Sequence, residues 1–171
     1  TIQQCIGAAL DGINGNPNQI RKLVGESFER YIRLLLQELN INATSGTVKI
    51  PIPYKESSDK YSMTYQHDLI VKNGEALKML GSIKTTSKDR LGKIFLDKFL
   101  YTRLTKTEIP HVAIFLNDIQ RKKSKKENEY GISGTFLPGH FISYTLELNP
   151  LDGVYYCDLR PQMKTQPILK N

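Results

Sequence analysis

Asp68, Ser82 and Lys84 are the residues in this chain whose types and spacing could do chemistry together. The run GSIKTTSKDR, Gly81 to Arg90, begins like a buried strand and ends in charge, with Lys84 where a strand usually holds something apolar. Side chains two apart on a strand share a face, so Ser82 and Lys84 project together with Ile83 behind them. If Asp68 on the preceding strand-like segment points the same way, a carboxylate and a lysine converge at one end of a sheet. A carboxylate can hold a divalent metal through oxygen. A lysine beside it can orient a water or steady charge on a phosphate. That is the minimum apparatus for metal-dependent phosphodiester hydrolysis. The plainer reading makes Lys84 an edge lysine that guards against aggregation and Asp68 a surface acid.

The elements that must position these groups follow from hydrophobic periodicity and turn residues. A short first helix is expected over Ile2 to Leu10, broken by Gly12-Ile13-Asn14-Gly15. Asn16 then serves as N-cap with Pro17 at the first helical position, opening a second helix that runs to about Glu38. Ile20, Leu23, Val24, Phe28, Tyr31, Ile32 and Leu35 recur at helical spacing and form its expected buried stripe, with Glu26, Glu29, Arg30 and Arg33 off it. Thr47 to Tyr54 reads as an edge strand interrupted by Pro51 and Pro53, followed by a polar loop from Lys55 to Lys60. His67 to Val71 and Ala76 to Lys84 flank Asn73-Gly74, the strongest short hairpin signal. Ser87 to Leu104 reads as an amphipathic helix with Ser87 as N-cap, and Val112 to Leu116 as a central strand covered on both faces. Gly139 to Leu148 and Gly153 to Leu159 read as two closing strands. The expected class is α/β, a mixed central β-sheet flanked by helices.

Composition sets the outer limits. The chain has 171 residues, net charge +7 and a hydrophobic fraction of 39%. It reads as one domain spanning 1–171, and the lack of an opening Met reads either as trimming from a slightly longer chain or as a part of something longer. No apolar run approaches the roughly 18 residues that span a bilayer, and no signal-peptide pattern opens the sequence. Cys5 and Cys157 read as unpaired buried thiols of a reducing, cytoplasmic compartment. His67, His111 and His140 lack zinc-ligand spacing, and His140 has no nucleophile to serve. The positive charge favours a polyanionic partner and is concentrated in Lys84 to Lys98 and in Arg121-Lys122-Lys123-Ser124-Lys125-Lys126.

Asp68, the hairpin and the strand ending in Ser82-Ile83-Lys84 resemble the PD-(D/E)xK nuclease superfamily over roughly Val24 to Leu116. His67 stands where proline is usual, and Ser82 where the second acid is expected. The EcoRII/SsoII/NgoMIV-like branch of type II restriction endonucleases has a small residue at that strand position and takes its acid from the following helix. Thirteen residues after Lys84 is Asp97, where that branch usually has glutamate. Lys84-Thr85-Thr86-Ser87-Lys88-Asp89-Arg90 is similar to the branch's K-T-T-x-K-D-R string, which leads into the helix that reads cytosine–guanine pairs. The physics agrees, because Arg or Lys donates to guanine O6 and N7 and Asp accepts from cytosine N4. Gly25-Glu26-Ser27-Phe28-Glu29 resembles the segment that supplies a helix acid, Glu29 first and Glu26 second; as plain helix-surface acids they would pair with Arg30 and Arg33.

The resemblance implies a restriction-endonuclease-like fold and a site-specific, Mg²⁺-dependent endonuclease acting on duplex DNA as a homodimer, over a site with adjacent C·G pairs. Asp68, Asp97 and Glu29 would hold the metal, Lys84 would position the attacking water, and Ser82 would be a spacer. Lys88, Asp89 and Arg90 would read bases. Arg121 and Lys122 would contact phosphates from a basic loop, with Asn117 to Arg121 adding base-edge contacts. Two alternatives stay open: a repair nickase or junction resolvase of the same fold, and an inactive DNA-binding module in which Ser82 is the lesion.

Overall fold

The computed structural model describes residues 12, 16–52, 61–87, 90–123 and 130–165. In chain order these form α1 (Pro17–Glu38), β1 (Ala43–Pro51), β2 (Ser62–Asn73), β3 (Ala76–Thr86), α2 (Leu91–Thr105) and β4 (His111–Asn117). They continue with β5 (Ile119–Lys123), β6 (Tyr130–Gly134), α3 (Pro138–Glu147), β7 (Gly153–Asp158) and the short α4 (Pro161–Lys164). The expected first helix, Ile2 to Leu10, and the loop Lys55 to Lys60 lie outside the described residues.

The protein is α/β, built on a mixed five-stranded sheet of order β1-β2-β3-β4-β7. The β1–β2 and β2–β3 pairs are antiparallel, while β3–β4 and β4–β7 are parallel. The Asn73-Gly74 turn joins β2 to β3, and Gly74 takes the positive φ of 58° that a side chain would resist. β4 is near-continuously buried because helices cover both faces of the sheet. On one face Phe28 and Ile32 of α1 pack on Leu69, Ile83, Val112 and Leu116. On the other, Leu91, Ile94 and Phe95 of α2 pack with Ala113 and Phe115, and Phe141 and Tyr144 of α3 close that layer. Gly81 lets β3 lie tight in the sheet: a Cβ there would come within 2.9 Å of Val112 Cγ2 and 3.0 Å of Leu69 Cδ2.

Four expectations need correcting. Gly139 to Leu148 is not a strand. Pro138 opens α3, and Phe141, Tyr144 and Leu148 fall on one helical face against α2. Ser87 does not cap α2, which starts at Leu91 after Arg90; the Ser87 hydroxyl is bonded to Thr135 Oγ1 at 2.9 Å instead. The buried stripe of α1 is narrower than its apolar pattern, for Leu23, Tyr31 and Leu35 are 41–48% exposed. Cys157 is a free thiol but an exposed one. Among the described residues, no helix is long and apolar enough to cross a membrane.

Candidate active site

The geometry around Asp68 begins with an irregularity in β2. Gly46 pairs with His67 and Thr44 with Ile70, so β2 uses three residues where β1 uses two. Such a bulge leaves an extra residue out of the ladder and re-aims its side chain. The β2–β3 ladder reaches Leu69 opposite Gly81, and beyond that pair a carboxylate takes over from the backbone: Ile83 N–H donates to Asp68 Oδ2 at 2.9 Å. Lys84 Nζ donates to the same oxygen. A carboxylate has about four lone-pair sites, and both bonds use Oδ2.

Helix α1 adds two groups one turn apart. Glu29 Oε1 lies 3.6 Å from Lys84 Nζ, and Arg33 Nη1 lies 3.8 Å from Glu29 Oε2. Arg33 also donates to the Asp68 carbonyl at 3.0 Å, fixing the bulge from the helix side. The (i, i+4) spacing that pairs Glu29 with Arg33 sits next to the Phe28 and Ile32 stripe, so packing of that stripe aims both at the sheet. Burial, then repulsion from Asp68, pushes the Glu29 carboxyl above its ordinary range, and Lys84 and Arg33 oppose that rise. Glu26, the other helix acid considered, points away and pairs with Lys22 at 3.7 Å on an exposed surface. Ser82, half-buried, adds no charge.

Asp97 sits in a second cluster. It is buried, and its carboxylate accepts from Lys93 one turn earlier at 2.5 Å. Burial raises its pKa, while Lys93 and then His111 counter the rise. Lys93 lies 5.7 Å from the centroid of Tyr65, whose ring neighbours His67, which in turn neighbours His111. Burial pushes His67 down to about 4 and lowers His111 as well. Asp68 and Lys93 both act on His67, so the clusters adjoin, but the acid that shares Lys84 with Asp68 is Glu29 rather than Asp97.

Arg90 is exposed immediately before α2; Lys88 and Asp89 lie outside the described residues. Arg121 and Lys122 belong to β5, so the expected basic loop begins as one arm of a two-stranded ribbon with β6. Asn117 and Asp118 are not available to base edges. Asn117 Oδ1 accepts from Ile119 N, and Asp118 is fully buried against Arg160. Sequence reasoning missed Arg33, Arg160 and the bulge. Only Arg33 had left a trace, in its spacing from Glu29.

Among the described residues, no group of three His, Cys, Asp or Glu side chains is gathered for a metal. Asp68 and Glu29 remain a suitable pair for Mg²⁺, which keeps several waters and commonly takes only one or two protein carboxylates plus substrate phosphate. No protein-family model matches this chain, and no curated protein matches it.

Proposed function

We propose that this protein is a Mg²⁺-dependent, site-specific endonuclease of restriction-endonuclease-like fold, acting on duplex DNA. The observation that carries the reading is the convergence of Asp68 and Glu29 on Lys84 at the point where the β2–β3 ladder gives way. Mg²⁺ bound by Asp68 and Glu29 would supply Lewis acidity toward a phosphoryl oxygen and acidify a water. The chain's own residues do the positioning. The Ile83 N–H and the Arg33 guanidinium hold the two ends of Asp68. Lys84, half-open to solvent, turns from the carboxylates toward the attacking water and the charge growing on the phosphate. Arg90 and the neighbouring Lys88 and Asp89 read adjacent C·G pairs, Arg121 and Lys122 bind phosphates, and a homodimer cuts both strands. Asp97 would join the metal set only by leaving its ion pair with Lys93, whose side chain is 58% exposed.

Lys84→Ala abolishes cleavage of plasmid DNA while sparing binding; cutting at the wild-type rate would sink the assignment. Digestion of a long sequenced DNA with Mg²⁺ gives discrete fragments, whereas a smear or nicks would point to a repair nickase or a resolvase. One observation favours a second reading. Ser82 offers no carboxylate and Asp97 is held by Lys93, as expected of a DNA-binding module that has lost catalysis. That module binds DNA in a salt-sensitive way and cuts nothing with Mg²⁺ or Mn²⁺.

A further inference from the structure

We infer that the β5–β6 ribbon is a groove-docking arm for duplex DNA, set at a fixed angle to the strand that carries Lys84. The inference rests on the DNA reading above but names a surface and a mode of contact that the active site does not require. The ribbon stands apart from the main sheet as a two-stranded antiparallel unit of five residues a strand. Its composition is one-sided. β5 carries Arg121, Lys122 and Lys123, and these pair with Ile132, Gly131 and Tyr130 on an uncharged strand. A two-stranded ribbon is one of the two elements that the major groove of B-form DNA admits. Of these, Arg121 and Lys123 are two positions apart and so fall on one face of the ribbon, a spacing suited to phosphates along a groove wall.

An isolated two-stranded hairpin is marginally stable in water, and this one is braced at its root. Asp118, fully buried, accepts from Arg160 Nε at 2.8 Å and Nη2 at 2.5 Å on one oxygen. Its carbonyl accepts from Thr135 N at 2.6 Å, which joins the two arms. Arg160 passes so close to the ribbon's last residue that a Cβ on Gly134 would lie 3.1 Å from Nη2. The brace continues into the catalytic strand. Thr86 pairs with Asn117, and the Ser87 and Thr135 hydroxyls are bonded. Ribbon and site therefore share one rigid frame, and a ribbon seated in a groove presents a phosphate to Lys84 at a set distance along the duplex.

The test is DNA binding without Mg²⁺ by the full chain and by a variant with Arg121→Ser, Lys122→Ser and Lys123→Ser. Affinity is followed against salt on a duplex DNA and on a duplex RNA of the same sequence. Each phosphate contact contributes about 0.9 to the slope of log affinity against log salt, so the variant's slope on DNA should fall by roughly 2. On RNA the slope should change far less, because the A-form major groove is too deep and narrow to admit the ribbon. An unchanged slope on DNA overturns the inference. So does an equal loss on both duplexes, which would make the segment a basic patch rather than a groove element. Asp68→Asn keeps the two claims apart: it should lose cleavage and keep the wild-type slope. A wild-type chain with this slope behaviour but no cleavage would refute the nuclease and leave the arm standing.

Discussion

Asp68 and Asp118 each accept two bonds on a single carboxylate oxygen at the root of a β-ladder, yet they are built for opposite purposes. Asp118 is fully buried and gives its oxygen to two donors of one guanidinium, a planar fork that moves as a unit. Asp68 gives its oxygen to a backbone N–H and to a lysine whose side chain is 30% exposed and which also faces Glu29. A lysine is a compact point charge on a flexible stem, so it can exchange one oxygen for another. The difference teaches where chemistry can occur in this fold. Asp118 is gripped on one oxygen by a rigid partner, its other oxygen buried without a hydrogen bond, and it locks two strands together, whereas Asp68 is fixed by the backbone and served by a movable cation.

The largest effect should come from removing the charge at Asp68. Asp68→Asn keeps the shape but lowers the cleavage rate by about 10³-fold or more, roughly 4 kcal/mol of barrier. Its urea midpoint should stay close to wild type. Plasmid cleavage rates and urea titrations together decide whether Asp68 serves chemistry or folding.

Next comes Arg160→Met, where the expectation reverses. Stripping the fork from a buried carboxylate leaves an uncompensated charge, which lowers the stability of the fold. Urea unfolding should show that loss. A variant as stable as wild type would erase the contrast with Asp68.

The sequence showed one side of this contrast more clearly than the other. Asn16 and Pro17 announced α1, and Asn73-Gly74 announced the hairpin that brings Asp68 near Lys84. Asp68 and Lys84 were legible because a charged residue in a strand is conspicuous. Arg33 and Arg160 were not, because an arginine on a helix or after a strand looks like solvated surface until the fold aims it. The bulge at Asp68 left no sign, since it is a register difference between two strands. Gly139 to Leu148 was misread because Phe141, Ile142, Tyr144 and Thr145 have strand propensity. Pro138 and the packing against Phe95 outweighed that propensity. The α1 stripe was over-read because spacing alone cannot say how wide a face the sheet will cover.

Acid should act on the Asp68 side of the molecule. His67 is held down to about 4 by burial, with His111 and then Lys93 adding to the effect, and His111 is lowered by burial too. A folded-state pKa below the ordinary 6.5 gives stability that is complete above 6.5 and is lost as pH falls toward 4, because the unfolded chain takes up protons first. The His67 share should amount to about 1–2 kcal/mol between pH 7 and pH 5. His67→Leu should flatten the dependence of Tm on pH over that window, and an unchanged slope would remove His67 from the account.

The smallest effect tests the comparison most sharply. Burial and the repulsion of Asp68 hold the Glu29 carboxyl above its ordinary range, so its ionised form is disfavoured by the fold. A raised folded-state pKa gives stability that is complete below the unfolded value and declines as pH rises through the folded one. Ionising Glu29 therefore costs more in the fold than in the unfolded chain, a cost that grows as pH rises and fades in acid. Glu29→Gln removes that cost and keeps the shape, so it should stabilise the fold at pH 7 by less than about 1 kcal/mol and change little at pH 4. Cleavage should fall at the same time. A gain in stability with a loss of activity is what a site held in tension for function yields. The opposite sign, a loss of stability at pH 7, would mean that Glu29 is there to hold Lys84 and Arg33 in place, as Asp118 holds Arg160.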